Sequence, residues 1–345
     1  MSMIKRLKNR ARSAFLYKRG TSEIDTGPVE LIIEITSVCN LSCPMCPRPG
    51  MVRGYDMMEV EMFRSIIEQI KNTVELVYLS GGLGDPTVHP DLGKFIKICT
   101  ENNVRVGVST NATLLRPSVI DALLSPGPDL LLLSLDGATK ETHEKIRVGS
   151  NFERTMERIE NFLAEKVKRN SRRPYTICQM IHMPVNEQEA EKFQEKWKST
   201  PGVDEVRLKK FLHLQGAEYH PETDGTIVQP EKQKSCILPW RQLSISADGT
   251  VSICCRDLDF QQPIGHLDKS SIDEIWHGTV MNKNRELLAT GRKCEIDACN
   301  GCEGVSTSAL TLVGAAVVDD YVIRRMLPMV EKIARIFGVK ALDYE

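Results

Sequence analysis

Between Val29 and about Phe211 the chain alternates short apolar runs with amphipathic windows of helical period. The runs at 30–36, 76–80, 105–110, 130–135, 176–183 and 205–210 read as strands. Windows at 62–71, 92–102, 117–124, 152–168 and 188–199 read as helices. Phe63, Ile66, Ile67 and Ile70 recur at helical spacing, and Pro117 suits a first turn. Six strand–helix units in succession predict a parallel sheet with right-handed crossovers. From Cys236 the pattern changes: residues 243–253 alternate apolar and polar around Asp248-Gly249, a hairpin signal. Cys254 and Cys255 are expected to end its second strand on opposite faces. One helix is expected over 272–290, and the amphipathic window 321–337 is expected to pack against the rest despite Pro328.

A length of 345 residues suggests two domains. The pattern divides the chain into a basic amino segment (1–28), an α/β part (29–211), a linker (212–235), a small α+β cysteine-rich part (236–304) and a helical tail (305–345). The basic start, MIKRLKNRARSAFLYKRG, reads as a solvated helix or frayed leader, with contact to an anionic membrane surface as the alternative. A net charge of −1 argues against nucleic acid as partner. Eleven cysteines, grouped and odd in number, with no secretory leader, argue against a disulfide framework and for a reducing cytoplasm. No apolar stretch is long enough to span a bilayer.

The chemistry lies in the cysteines. Cys39, Cys43 and Cys46 follow the first strand at Cys-x3-Cys-x2-Cys spacing, three thiolates on one loop. Zinc or a cubane cluster usually takes four ligands, so the trio points to a cluster with one iron open, or to a zinc knuckle completed from elsewhere. Cys236, Cys254 or Cys255, Cys294, Cys299 and Cys302 form a second group, for which a four-cysteine zinc ribbon and an iron–sulfur site both remain open. Cys99 and Cys178 fall in helix and strand patterns and read as small core residues. His182 and His213 read as packing or surface residues.

The loop TSVCNLSCPMCP resembles the signature of radical S-adenosylmethionine (SAM) enzymes. That resemblance implies a partial (β/α)6 TIM-like barrel, with a [4Fe–4S] cluster on Cys39, Cys43 and Cys46 whose open iron binds SAM. Reductive cleavage would then give methionine and a 5′-deoxyadenosyl radical that takes hydrogen from a substrate. Met45 stands where many members carry an aromatic. Loops at the carboxyl ends of barrel strands carry the chemistry, and here they hold family-like residues. Ser80-Gly81-Gly82-Leu83-Gly84-Asp85-Pro86 resembles the Gly-Gly-Glu-Pro loop, with Asp85 in place of Glu. The resemblance assigns SAM contacts to Gly82, Gly84 and Asp85, to Ser109 and Asn111, to Ser134 and Asp136, and to Arg147 as a carboxylate partner, with 183–186 near the adenine.

The second group resembles the SPASM/Twitch auxiliary module: Cys236, twelve residues, then Gly249-x4-Cys254, with Cys299-x2-Cys302 beyond. This implies a second [4Fe–4S] cluster on Cys236, Cys254, Cys299 and Cys302, with Cys294 as a substitute ligand. Its implied role is electron transfer or support. The resemblance covers about 29–304 and leaves the tail unassigned. The substrate expectation is a small polar, carbohydrate-like molecule undergoing oxidation or rearrangement, because the amino segment leaves little room for a leader-peptide domain. A peptide-modifying maturase is the alternative, and a non-catalytic metal-binding scaffold the alternative of another class. A flavodoxin or ferredoxin is the expected reductant. No residue is identified as the hydrogen or proton donor.

Overall fold

The computed structural model describes residues 2–80, 83–211, 236–300 and 302. Gly82, His213, the linker 212–235 and the tail with its window 321–337 lie outside the described residues. After α1 (Ser2–Lys18) the chain alternates β1 (Glu30–Ile33), α2 (Val60–Ile70), β2 (Leu76–Leu79), α3 (Leu92–Glu101), β3 (Arg105–Thr110), α4 (Pro117–Leu124) and β4 (Leu130–Ser134). It continues with α5 (Lys140–Ile146), α6 (Phe152–Lys168), β5 (Tyr175–His182), α7 (Ala190–Lys198) and β6 (Glu205–Lys210). The second part holds α8 (Leu238–Arg241), β7 (Gln242–Ile245), β8 (Thr250–Ser252), β9 (Pro263–His266), α9 (Ile272–Trp276) and α10 (Thr279–Ala289).

Strands β1 to β6 pair in parallel and in sequence order, as successive right-handed crossovers dictate. On each of the first four strands one face is fully buried, at Leu31 and Ile33, Val77 and Leu79, Val106 and Val108, and Leu131 and Leu133, while Ile32, Tyr78 and Leu132 on the other face are partly buried. The sheet does not stop at β1. Strand β7 pairs with it in parallel, Glu30 to Ile33 against Gln242 to Ile245, and β8 and β9 extend the edge antiparallel. The cysteine-rich part is thus hydrogen-bonded to the barrel through a single nine-stranded sheet.

Three expectations change. The first strand was expected to reach residue 36, but its end changes partner: the Met58 amide donates to Ile35 O (2.9 Å), Ser37 N to Asp56 O (3.1 Å), and Thr36 bridges Met57. The helix over 272–290 is two helices. His277 closes the first and Gly278, extended at ψ 161°, caps the second. The amino segment is not simply a solvated or frayed helix: one face of α1 stays exposed, at Lys5, Lys8 and Phe15, and the other packs onto the protein. Arg6 reaches Lys71 O (3.1 Å from Nε) and Asn103 O, Arg10 pairs with Glu75 (2.8 Å), Ser13 donates to Trp240 O, and Tyr17 meets the Trp240 ring edge-on at 5.3 Å. Lys71, Glu75 and Asn103 stand just before β2 and β3, so α1 closes the amino ends of the barrel strands.

Candidate metal centres

The cysteine loop is closed at its base by the 35–37/56–58 ladder. Inside it, the Cys46 amide donates to Cys43 O (3.0 Å). Asn111 Nδ2 lies 3.7 Å from Cys39 Sγ, and Arg147 Nη1 lies 3.8 Å from Cys43 Sγ. Burial pushes the Cys39 thiol up to about 11 and raises Cys46, and the nearby charge of Cys43 adds to both. Buried thiols such as Cys39 and Cys46, which ionise reluctantly, become good thiolates when a cationic centre takes them. Together with donors aimed at two of the sulfurs, this donor set fits a cluster held by three cysteines.

The loops after β2 to β5 are ordered around this trio, and most of their polar groups are engaged with one another. An added Cβ on Gly84 would stand 1.9 Å from Thr36 O, so only glycine lets this loop lie on the cysteine loop, where Asp85 N donates to Val38 O (2.9 Å). The Asp85 carboxylate accepts from Thr87 N (2.9 Å), Thr110 Oγ1 (3.0 Å) and Asn111 N (2.7 Å). It ties the β2 loop to the end of β3. Asn111 also reaches Asn40 Oδ1 (3.2 Å) and accepts from Thr113 N (2.9 Å). Ala112 follows it at φ 63°, costly for a residue with a side chain.

Asp136, at φ 58° and inaccessible, accepts from Ile181 N (2.7 Å) and pairs with Arg147 (2.5 Å). Burial works against the Arg147 charge, yet Asp136 and Cys43 together hold its pKa up. The guanidinium's carboxylate partner in the protein is therefore Asp136. Asn186 closes the loop after β5, donating to Asp136 O (2.9 Å) and Ile181 O (2.8 Å). Ser109 and Ser134 sit half-buried at the ends of β3 and β4.

At the second centre, Cys236, Cys254, Cys299 and Cys302 line one cavity with Arg256, Lys293 and apolar residues including Leu238 and Ile253. Cys236 precedes β7 and Cys254 follows β8, so closure of the hairpin brings them together. The Cys299 thiol is pushed up to about 12 by burial, with Cys236 and Cys302 adding to it. Arg256 Nη1 donates to Cys302 Sγ (3.1 Å) and its amide to Cys254 Sγ (3.4 Å). Four thiols, one taking a guanidinium donor and one a backbone amide, fit a four-cysteine cluster. Cys294 is exposed and does not join them. The expectation that Cys254 and Cys255 point to opposite strand faces is corrected: β8 ends at Ser252, and the two thiols interact, which raises Cys254 and lowers Cys255. Among the described residues no three His, Cys, Asp or Glu side chains converge on a single-ion site. In a cluster each thiolate meets its own iron.

Sequence reasoning missed the link between the centres. Arg53 grips the buried Glu34 carboxylate with both arms (2.6 Å each), and Glu34 also accepts from Leu83 N (2.9 Å). The same guanidinium reaches Leu258 O (3.2 Å) and Asp259 (3.6 Å) and lies 5.1 Å from the Phe260 ring centre, while Val52 N donates to Asp259 (2.9 Å). Glu34 ends an apolar strand and Arg53 follows the cysteines by seven positions. A lone carboxylate closing an apolar run was the one available signal.

Comparison with known proteins gives the Radical SAM superfamily model over residues 33–196 and the SPASM iron–sulfur cluster-binding domain over 236–303. Among relatives, the chain is 30% identical over 137 residues to the mycofactocin maturase MftC of Mycobacterium ulcerans, covering 40% of this chain and 37% of that protein. It is 23% identical over 316 residues to the antilisterial bacteriocin subtilosin biosynthesis protein AlbA of Bacillus subtilis, covering 85% and 69%. It is 30% identical over 121 residues to the PqqA peptide cyclase of Ruegeria pomeroyi, covering 34% and 32%. The matched stretch is thus little more than a third of the first relatives' own length. In fold it resembles the crystal structure of Streptococcus suis SuiB bound to S-adenosylmethionine, with TM-score 0.63, 16% identity, and 80% and 71% of the two chains covered.

Proposed function

The chain belongs to the radical SAM superfamily and carries an auxiliary iron–sulfur domain, and from that premise we propose that it is a peptide-modifying radical enzyme. The similarity to AlbA, which runs through both matched domains, carries this reading over the small polar substrate expected from sequence. A maturase and a peptide cyclase among the other relatives support it.

Cys39, Cys43 and Cys46 would hold the SAM-binding cluster, and Cys236, Cys254, Cys299 and Cys302 the auxiliary one. With SAM bound, a reduced cluster held by the first three cysteines would supply the electron for SAM cleavage to a 5′-deoxyadenosyl radical. The protein's own groups do the positioning. Asn111 and Arg147 orient the Cys39 and Cys43 sulfurs; Asp136 fixes Arg147; Asp85 and Gly84 hold the β2 loop against the cysteine loop. Ser109 and Ser134, half-buried at neighbouring strand ends, are the side chains we assign to SAM contact, with Gly82 as a backbone contact. A reducing cytoplasm and a flavodoxin or ferredoxin as donor suit eleven free cysteines.

Anaerobic reconstitution tests the metal assignment. We expect about eight irons per chain and reductive formation of 5′-deoxyadenosine, with about four lost in Cys299→Ala and cleavage abolished in Cys43→Ala. Undiminished cleavage in Cys43→Ala refutes the assignment. For the substrate, a deuterated cell extract is split by size and added with SAM and reductant. Deuterium in deoxyadenosine from the peptide fraction supports the reading; deuterium from the small-molecule fraction alone overturns it.

A further inference from the structure

The auxiliary cavity is lined by two cationic side chains and no carboxylate. A cubane in its oxidised resting state with four thiolates carries a net charge of −2, and Arg256 and Lys293 match it. They are not equivalent. Lys293 is buried and spends its ammonium on Cys302 O. Arg256 acts on the sulfurs, its guanidinium on Cys302 and its amide on Cys254. Asp257 follows directly, but its carboxylate is taken up by Ser252 Oγ (2.7 Å), Gln261 N (2.9 Å) and Gln262 N (3.1 Å). The arginine therefore meets thiolates rather than its neighbouring acid.

Hydrogen bonds to cluster sulfurs and positive charge near the core make a cluster easier to reduce. Charge-assisted donors in a buried site are the strong ones. We propose that Arg256 is the side chain that sets the reduction potential of the auxiliary centre, holding it high enough to accept an electron, with Lys293 as a weaker second contributor. This rests on the four-cysteine ligand set proposed above. Arg256 is a positioning residue in this sense: it touches ligating sulfurs and no substrate.

The test uses the full chain with Cys39, Cys43 and Cys46 changed to Ala, so that only the auxiliary centre titrates, followed by electron paramagnetic resonance at poised potentials. Iron is counted in each sample. In Arg256→Gln we expect about four irons retained and, at the parent's midpoint, a reduced-to-oxidised ratio lower by about tenfold, equivalent to 59 mV for one electron. Arg256→Lys keeps the charge and should recover most of the shift, which a purely structural role would not produce. If Arg256→Gln loses its iron, Lys293→Gln decides, and a lowered midpoint is expected there too. An unchanged midpoint in the iron-bearing variants overturns the proposal. A parent that holds no iron overturns the ligand set instead, and the proposal with it.

Discussion

Removing Arg53 should lower the stability of the whole fold, because its partner directly follows the strand both halves share. Glu34 follows β1 directly and hydrogen-bonds β7 through its own amide (2.9 Å to Ile245 O). Its side chain is 2% exposed, against 15% for Arg53. Arg53→Met keeps the stem but strands a buried carboxylate whose remaining donor is Leu83 N. Breaking a buried pair from one side costs about 3–5 kcal/mol, and the partial exposure of Arg53 places this case near 3. Glu34→Leu should cost less, about 2 kcal/mol, because Asp259 and Leu258 O still engage the arginine. The double variant, with both charges gone, should cost about 3 rather than their sum, a coupling near 2 kcal/mol. Anaerobic urea unfolding reads this through the emission of Trp197, Trp240 and Trp276, buried on helices of both parts of the chain. A loss under about 1 kcal/mol for Arg53→Met, or strict additivity, refutes the reasoning.

Gly84→Ala places a methyl against the Thr36–Ser37 backbone, 1.9 Å from Thr36 O and 2.9 Å from the Ser37 carbonyl carbon, so the loop must move. We expect about 2 kcal/mol of destabilisation and SAM cleavage reduced about tenfold with iron unchanged, as one unit of barrier reads; wild-type turnover in this variant would contradict the packing account. Burial also holds His89 and His143 below the ordinary histidine pKa. The unfolded chain therefore binds protons that the folded chain refuses, and stability present above about pH 6.5 is lost as pH falls toward the lowered folded values. Melting temperatures should drop from pH 7.5 to 5 and drop less in His143→Leu, and a rise toward pH 5 would count against it.

The strands were legible because apolar runs bounded by helical windows leave one parallel arrangement, and their observed starts match closely at Leu76, Arg105, Leu130 and Glu205. The cysteine trio was legible from spacing alone. What escaped the sequence are interactions made at a distance. Nothing near Arg6 or Arg10 announces that their partners are Lys71 O, Asn103 O and Glu75, since a basic helix reads alike whether its charges face solvent or carbonyl groups. Asp85 was read toward a ligand from its place in the glycine-rich loop after β2, and Arg147 from the family-like stretch that follows α5. Their engagement with Thr110, Asn111 and Asp136 depends on neighbouring strands 25, 26 and 11 positions away.

The route between the two centres follows from strand direction. The cysteine loop leaves β1 at its carboxyl end, and β7 runs parallel to β1 in register. Cys236 enters β7 and Cys254 leaves the antiparallel β8, so both belong to the other end of that shared pair. Four paired residues at roughly 3.3 Å each set a span of about 13 Å along the strands. The segment after Cys254 covers that span: Leu258, Asp259 and Phe260 meet Arg53 and Val52 on the cysteine loop. Two centres joined by a rigid strand pair and a side-chain brace would keep a set separation. Asp259→Ala should therefore leave both iron complements intact and weaken the magnetic interaction between the reduced clusters, because it loosens the brace without touching the sheet. An interaction as strong as in the parent would assign the separation to the β1–β7 pairing alone.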